Sequence, residues 1–560
     1  MWRSSRRHHA LWAFPALLAV CASGLNAAEV TFAHDIAPIV YRHCSPCHRP
    51  GESGPFPLLS YEDVKKRSAQ IAAVTRRGYM PPWLPEHGYG DFADERRLTA
   101  EEIRTIAAWV AQGAPEGPSG EVPPAPAGAE DARKPDLVIE ATGPYTVPAS
   151  GPDVYWNFVF KPAITAMHFV RAVEIHPGNR NVVHHANLLV DRMGTAHLRE
   201  PAPRKGFPGM DLEIMRSPFD PDGNFLFWKP GSTPHEEPEG FSWRLNPGNE
   251  LLLNAHFHPS GKPEEVRPSI ALYFTDKPPA HFPLLVQLEN DGALNIPPGN
   301  SNFPVSDDFR LPMDVDILAV YPHAHYLGRL LEAYATLPDG SRKWLIRISN
   351  WDPSWQAVYY YREPVFLPKG AIISMRYHYD NSAANVRNPN HPPKRVRAGD
   401  QSTDEMAHLW LQVLPRGAGD HRRELQEAVM EHRLEKNPND FTARMNAGAV
   451  MLSRLNPQGA VSMLEAAVRI CPDRPEARNM LGLALAQTGR SREAAAQFAL
   501  ALKARPDFLS ARFNLAAVEL KMGALDAAID DLRAIAAAEP DNELVKKRLA
   551  EAMEARSKHP

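Results

Sequence analysis

The chain has 560 residues and a formal net charge of −4, room for roughly three or four domains of about 100–200 residues each. No basic stripe points to nucleic acid and no acidic block to a disordered tail. Its 55 Pro and 34 Gly argue against an all-helical protein and for a loop-rich β region.

The first residues read as an export signal over 1–28. Arg3, Arg6 and Arg7 precede an apolar run from Ala10 to Leu25, and small residues suit cleavage near Ala27 or Ala28. A retained membrane anchor is the rival reading, disfavoured by Pro15, Ser23 and a length short of the roughly 20 apolar residues of a span. Val20 before Cys21 disfavours lipidation. The expected location is therefore periplasmic or secreted, with no stable membrane span. Cys44, Cys47 and Cys471 are the cysteines left after cleavage, so stability is not expected to rest on disulfides.

Residues 29–115 read as a small helical unit. Within it Cys44-Ser-Pro-Cys47-His48 is a C-x-x-C-H run, two thiols for thioether bonds to haem vinyls and a histidine for the iron. Zinc would want a second ligand pair nearby, and no second cysteine pair exists. Downstream, "GYMPPW" and "LTAEEIRTIAAWVAQGAP" resemble the distal methionine loop and C-terminal helix of small c-type cytochromes. The resemblance implies one covalent haem c on Cys44, Cys47 and His48, with Met80 as second axial ligand and His87 as its competitor. A Pro-rich linker, 116–135, follows.

From 136 to about 418 short apolar or alternating runs are separated by Pro/Gly/Asn/Asp turns, a strand-rich region of one long sandwich or two smaller ones. It holds "NVVHHANLLVD" (His184, His185), "ELLLNAHFHPSG" (His256, His258), "VYPHAHYLGRLLEAY" (His323, His325) and "STDEMAHLWLQV" (Met406). Positions i and i+2 of a strand share a side, so His323 and His325 can grip one metal. Adjacent His184 and His185 need a bend or strand end to converge. Several imidazoles suit Cu, Zn, Fe or Ni, and a thioether leans toward Cu(I).

These four segments, in this order, resemble the copper type II ascorbate-dependent monooxygenases, the family of peptidylglycine α-hydroxylating and dopamine β-monooxygenase. The resemblance covers about residues 140 to 415. It implies two jelly-roll-like β-sandwich subdomains, 136–285 and 286–418, each with one copper. His184, His185 and His256 would hold the electron-transfer copper. His323, His325 and Met406 would hold the catalytic, oxygen-binding one. His258 matches no ligand of the family and is expected behind the metal or beside the substrate. Two departures stand out. The disulfides of the family are missing, and the substrate-carboxylate Arg and Tyr of its peptidylglycine enzymes are replaced by Tyr321 and Trp410, which implies a neutral or aromatic-contacting small molecule.

The last part, 419–560, is a repeat array. Pro438, Pro472, Pro506 and Pro540 stand 34 residues apart, and small residues recur in phase (Gly448, Gly482, Ala516; Ala460, Ala494, Ala528). This is the tetratricopeptide pattern, with repeats at 441–474, 475–508 and 509–542 and a polar capping helix after them. Such arrays dock protein partners. The whole chain is expected to be an exported copper monooxygenase that hydroxylates a C–H bond of a small organic substrate with O₂. Electrons would enter from an ascorbate-like or protein donor through the haem. The alternative is a non-catalytic copper and haem carrier or sensor that docks partners through its repeats.

Overall fold

The computed structural model describes residues 29–558 except 53, 94, 126–133, 193, 195, 201–204, 210–222, 231, 233–234, 400 and 539–541. The expected signal peptide, the middle of the expected linker and Pro540 lie outside the described residues.

Short helices Ala37–His43, Tyr61–Lys65, Ser68–Arg76 and Ala100–Ala111 close around Phe32, Ile36, Ile106 and Trp109. The last helix starts at a reciprocal cap: the Thr99 side chain takes the Glu102 N–H while the Glu102 carboxylate takes the Thr99 N–H. Between the third and fourth helices the chain leaves this core. Trp83, Leu84 and Phe92 pack into the hydrophobic core of the second β unit. The Ala93 N–H donates to the Tyr360 carbonyl at 2.9 Å, and Glu86 pairs with Arg347 at 2.9 Å. The helical unit is thus docked on the β region as well as joined to it through the chain.

The middle region is two β units, each made of two antiparallel sheets facing across one core. In the first unit Leu137–Glu140, Ser269–Thr275 and His168–His176 form one sheet, and Val154–Phe160, Glu250–Phe257 and Val183–Asp191 lead the other. Glu250–Phe257 is central and buried along its whole length, which accounts for the unbroken apolar run Leu251–Leu253; Glu250, Asn254 and His256 are its buried polar residues. In the second unit the order is Leu284–Glu289, His408–Pro415, Val315–His323, Tyr359–Leu367, against Phe303–Arg310, Ile372–Tyr379, Gly328–Thr336 and Arg342–Ile348. Phe303–Arg310, at a sheet edge, alternates buried and exposed, the pattern of a half-solvated strand.

Helix pairs fill the C-terminal region: Phe441–Ser453 with Pro457–Ile470, Pro475–Gln487 with Ser491–Ala504, Leu509–Met522 with Leu525–Ala538, then Glu543–Lys558. The small residues in phase have a steric reason. A Cβ on Gly482 would come within 2.5 Å of the Phe498 ring across the helix pair. One helix was not foreseen as part of the β core. Arg422–Lys436 buries Leu425 there, and its His432 and Lys436 both hold the buried Asp307, at 2.8 and 2.5 Å. The β region, whose last strand ends at Pro415, is thus buttressed by a helix that lies beyond it in the chain.

Candidate functional site

His256 lies on the central strand Glu250–Phe257 of the first unit, opposite His185 on Val183–Asp191. The register then slips, so that Phe257 faces Val183 and His184 is the extra residue of a bulge. A bulge turns two consecutive residues toward one face, the bend that the adjacent pair required. His184 Nδ1 lies between the other two, 3.2 Å from His256 Nδ1 and 3.1 Å from His185 Nδ1. Asp153, on no motif, sits behind them. It accepts from His256 Nε2 at 3.1 Å and from His258 Nδ1 at 2.6 Å, while Tyr155 stacks on His256 with centroids 4.2 Å apart. A ring whose Nε2–H is committed to a carboxylate presents a lone pair at Nδ1. The trio whose ring nitrogens all lie within 4.8 Å of one another is His184, His256 and His258; His185 joins it through His184 Nδ1.

The donor set fits a metal. The His256 Nδ1 lone pair is fixed by Asp153, and His185 Nδ1 receives the Gln356 amide at 3.3 Å. His184 Nδ1 has at most one proton to share between two acceptors. A cation between the three nitrogens would satisfy every lone pair at once. Burial and the neighbouring imidazoles hold His184 down to about 3, and burial first of all lowers His185 and His256 too. The rings are therefore neutral, the state in which imidazole ligates.

The second cluster hangs from the end of Val315–His323. His323 closes that strand and His325 lies in the following turn, so the pair converges by a turn and not by strand alternation. His323 Nδ1 donates to Gln356 Oε1 at 2.8 Å, and His325 Nδ1 to the Asp404 carbonyl at 3.1 Å. Both rings are left with the lone pair on Nε2, and their centroids are 5.4 Å apart. Beneath the turn the buried Trp351 donates its indole N–H to the carbonyls of Ala324, at 3.1 Å, and His325, at 3.2 Å. The glycine after Tyr-Leu makes room for it, since a Cβ on Gly328 would meet the Trp351 ring at 2.7 Å. The buried Glu405 carboxylate fastens the methionine segment to this turn. It accepts the N–H groups of His325 at 2.8 Å, Leu327 at 2.7 Å and Met406 at 3.1 Å.

Both clusters line one cleft of about 300 Å³, with Met406 and Trp410 in the same wall. Phe225, Phe227 and Tyr321 give it an aromatic face, and among the described lining residues there is no Lys or Arg. His408, missed at the sequence level, also lines it. It pairs with His323 across the strands. Burial works against its charge, but the bond to Asp291 at 2.8 Å prevails and raises its pKa.

In the helical unit His48 Nδ1 donates to the Phe56 carbonyl at 3.1 Å, which leaves Nε2 as the lone-pair nitrogen for an axial bond. Cys44 and Cys47 are unpaired thiols, and burial pushes Cys44 up to about 12. These groups fit attachment of a haem c by donor chemistry. Met80 is half-buried and His87 exposed. Tyr79, next to Met80, sets its ring edge-on to Trp355, with centroids 6.5 Å apart. Trp355 directly precedes Gln356.

Among known proteins, a tetratricopeptide-repeat family model matches residues 479–543, in accord with the helix pairs there. No curated protein matches the chain. Two crystal structures of MamA align at 20% and 19% identity. They cover 25% and 24% of this chain and 86% and 73% of theirs, with TM-scores of 0.24 and 0.23. The first repeat domain of Spaghetti (RPAP3), bound to the HSP90 peptide SRMEEVD, aligns at 15% identity over 21% of this chain and 93% of that one, with a TM-score of 0.21. The protein is thus multidomain, with a β-rich middle region and a C-terminal tetratricopeptide array; no helix among the described residues is long and apolar enough to cross a membrane.

Proposed function

We propose that this chain is a copper-dependent monooxygenase that hydroxylates a small, neutral, aromatic or alicyclic substrate, with a fused c-type haem as electron donor to the copper core. The observation that carries the reading is the contact of His184 Nδ1 with the Nδ1 atoms of both His185 and His256, in one cleft with an H-x-H and Met406. His184, His185 and His256 would hold one copper, and His323, His325 and Met406 the other. The pair would supply the two electrons that insertion of one oxygen atom of O₂ into a C–H bond needs. Asp153, Gln356 and the Asp404 carbonyl set the tautomers that aim the ligand nitrogens. A thioether with two imidazoles would favour the cuprous state, so a copper held by His323, His325 and Met406 would supply the reducing, oxygen-reactive site. The aromatic face takes apolar substrate surface out of water. The described lining holds neither Lys nor Arg, which argues against an ammonium or guanidinium anchor for the substrate. Cys44, Cys47 and His48 would hold the haem, with Met80 as its second ligand. The Tyr79–Trp355 contact brings that loop to the residue beside Gln356. The repeats are proposed to dock a protein partner, and the export signal to place the chain in the periplasm or outside the cell.

Met406→Leu keeps apolar bulk and removes the sulfur. With copper and a reductant supplied, it is expected to abolish substrate-dependent O₂ uptake while the three-histidine copper stays bound. Full uptake in that variant would overturn the assignment.

A further inference from the structure

Gln356 follows the short helical turn Pro353–Trp355 of the second unit and is buried. Its Oε1 accepts from the Tyr321 hydroxyl at 2.7 Å and from His323 Nδ1 at 2.8 Å. Its Nε2 lies 3.3 Å from His185 Nδ1, in the first unit. The directions follow from the chemistry. An amide oxygen only accepts, so His323 carries its proton on Nδ1 and keeps its lone pair on Nε2. An amide nitrogen only donates, so the His185 Nδ1 lone pair is the one it meets. That lone pair also faces His184 Nδ1 at 3.1 Å, and it is the one a metal in the three-histidine cluster must use.

We infer that Gln356 is a positioning residue with opposite effects on the two metal sites. It orients His323 for the site with Met406, and it competes with metal for His185. This rests on the copper reading above. When metal enters the first cluster, the amide N–H must leave His185. The Oε1 bonds to His323 and Tyr321 have no such conflict and persist. A residue that merely filled space between the units would affect both sites alike, through packing.

The test is Cu(I) binding by the full chain, measured by competition with a chromophoric chelator. Met406→Leu serves as background to isolate the first site, and His184→Ala to isolate the second. Adding Gln356→Leu is expected to tighten the first site about fivefold to tenfold, the worth of one competing neutral hydrogen bond. It is expected to weaken the second about tenfold to a hundredfold, the usual loss when a ligand histidine loses its orienting partner. Changes of the same sign at both sites, or none at either, would overturn the inference. If neither background binds Cu(I) even with Gln356 in place, the copper reading itself fails. A second measurement needs no variant at position 356. Selective ¹³C labelling of histidine in the metal-free protein, with the resonance assigned by its loss in His323→Ala, reads the His323 tautomer. The Nδ1–H form is expected, and the Nε2–H form would overturn the inference.

Discussion

Asp153 offers a sharp perturbation, because its carboxylate has no donor of its own. One oxygen takes His256 Nε2–H at 3.1 Å and the other takes His258 Nδ1–H at 2.6 Å. In Asp153→Asn the side chain keeps its shape, but one of the two atoms becomes an NH₂. If that group faces His256, the ring must move its proton to Nδ1, and the lone pair pointing at His184 is lost. If it faces His258 instead, that ring must change tautomer and His256 loses the charged partner that makes it a strong donor. Carboxylates behind metal-bound histidines are worth about tenfold to a hundredfold in affinity, or about 1.4 to 2.7 kcal/mol. Cu(I) affinity of the three-histidine cluster, measured by chelator competition with Met406→Leu closing the other site, should fall by that much. The chain should still fold, since the substitution is isosteric. An unchanged affinity would refute the claim that Asp153 sets the His256 tautomer for metal binding.

The remaining expectations follow from the same geometry. Glu405→Ala orphans three buried N–H groups, those of His325, Leu327 and Met406, and should cost about 3–5 kcal/mol in denaturant unfolding; a loss under about 1 kcal/mol would contradict the fastening role. In the metal-free chain burial depresses His184 and His323 to about 3. Depressed imidazoles favour the fold when neutral, so stability is full above the unfolded value near 6.5 and falls as pH drops from there toward 3. The slope is about 1.4 kcal/mol per pH unit for each such ring, and a melting temperature flat between pH 7.5 and 5 would argue against buried neutral histidines. A chain cut after residue 418 loses Leu425 and the cations on Asp307 and should aggregate or melt early, whereas one cut after 440 should keep metal; equal behaviour would remove the buttress role of Arg422–Lys436. Trp355→Leu should slow anaerobic reoxidation of the ferrous haem by Cu(II), followed by stopped flow, at least tenfold, with metal content unchanged; an unaltered rate would place the electron path elsewhere.

The histidine clusters were readable because imidazoles in short, tight runs are chemically distinctive. The repeats were readable because a fixed period carries its own steric logic, as Gly482 against Phe498 illustrates. The residues that aim those ligands were not readable. Asp153 reaches His256 from 103 residues away, and Gln356 lies 171 residues from His185. Neither stands in a run of special composition, and only the register of the strands brings them in. Alternation led to His323 and His325 as a strand pair, yet the strand ends at His323, and Trp351 shapes the turn that follows. The bend at His184 could be named as a need, but not located as a bulge, without the pairing of Glu250–Phe257 with Val183–Asp191. Arg422–Lys436 reads as polar helix ahead of a helical array; its attachment to the β core depends on the distant Asp307 and Glu289.

The most direct test of the central claim is isotopic. The copper-loaded, full-length chain is incubated with ¹⁸O₂, a reductant and a panel of neutral aromatic and alicyclic compounds, and products are read by mass spectrometry. The account predicts a product carrying one ¹⁸O atom from O₂, formed only with copper present and absent in Met406→Leu. Copper bound at both sites, with O₂ reduced but no ¹⁸O in any organic product across the panel, would contradict monooxygenation and favour a redox carrier.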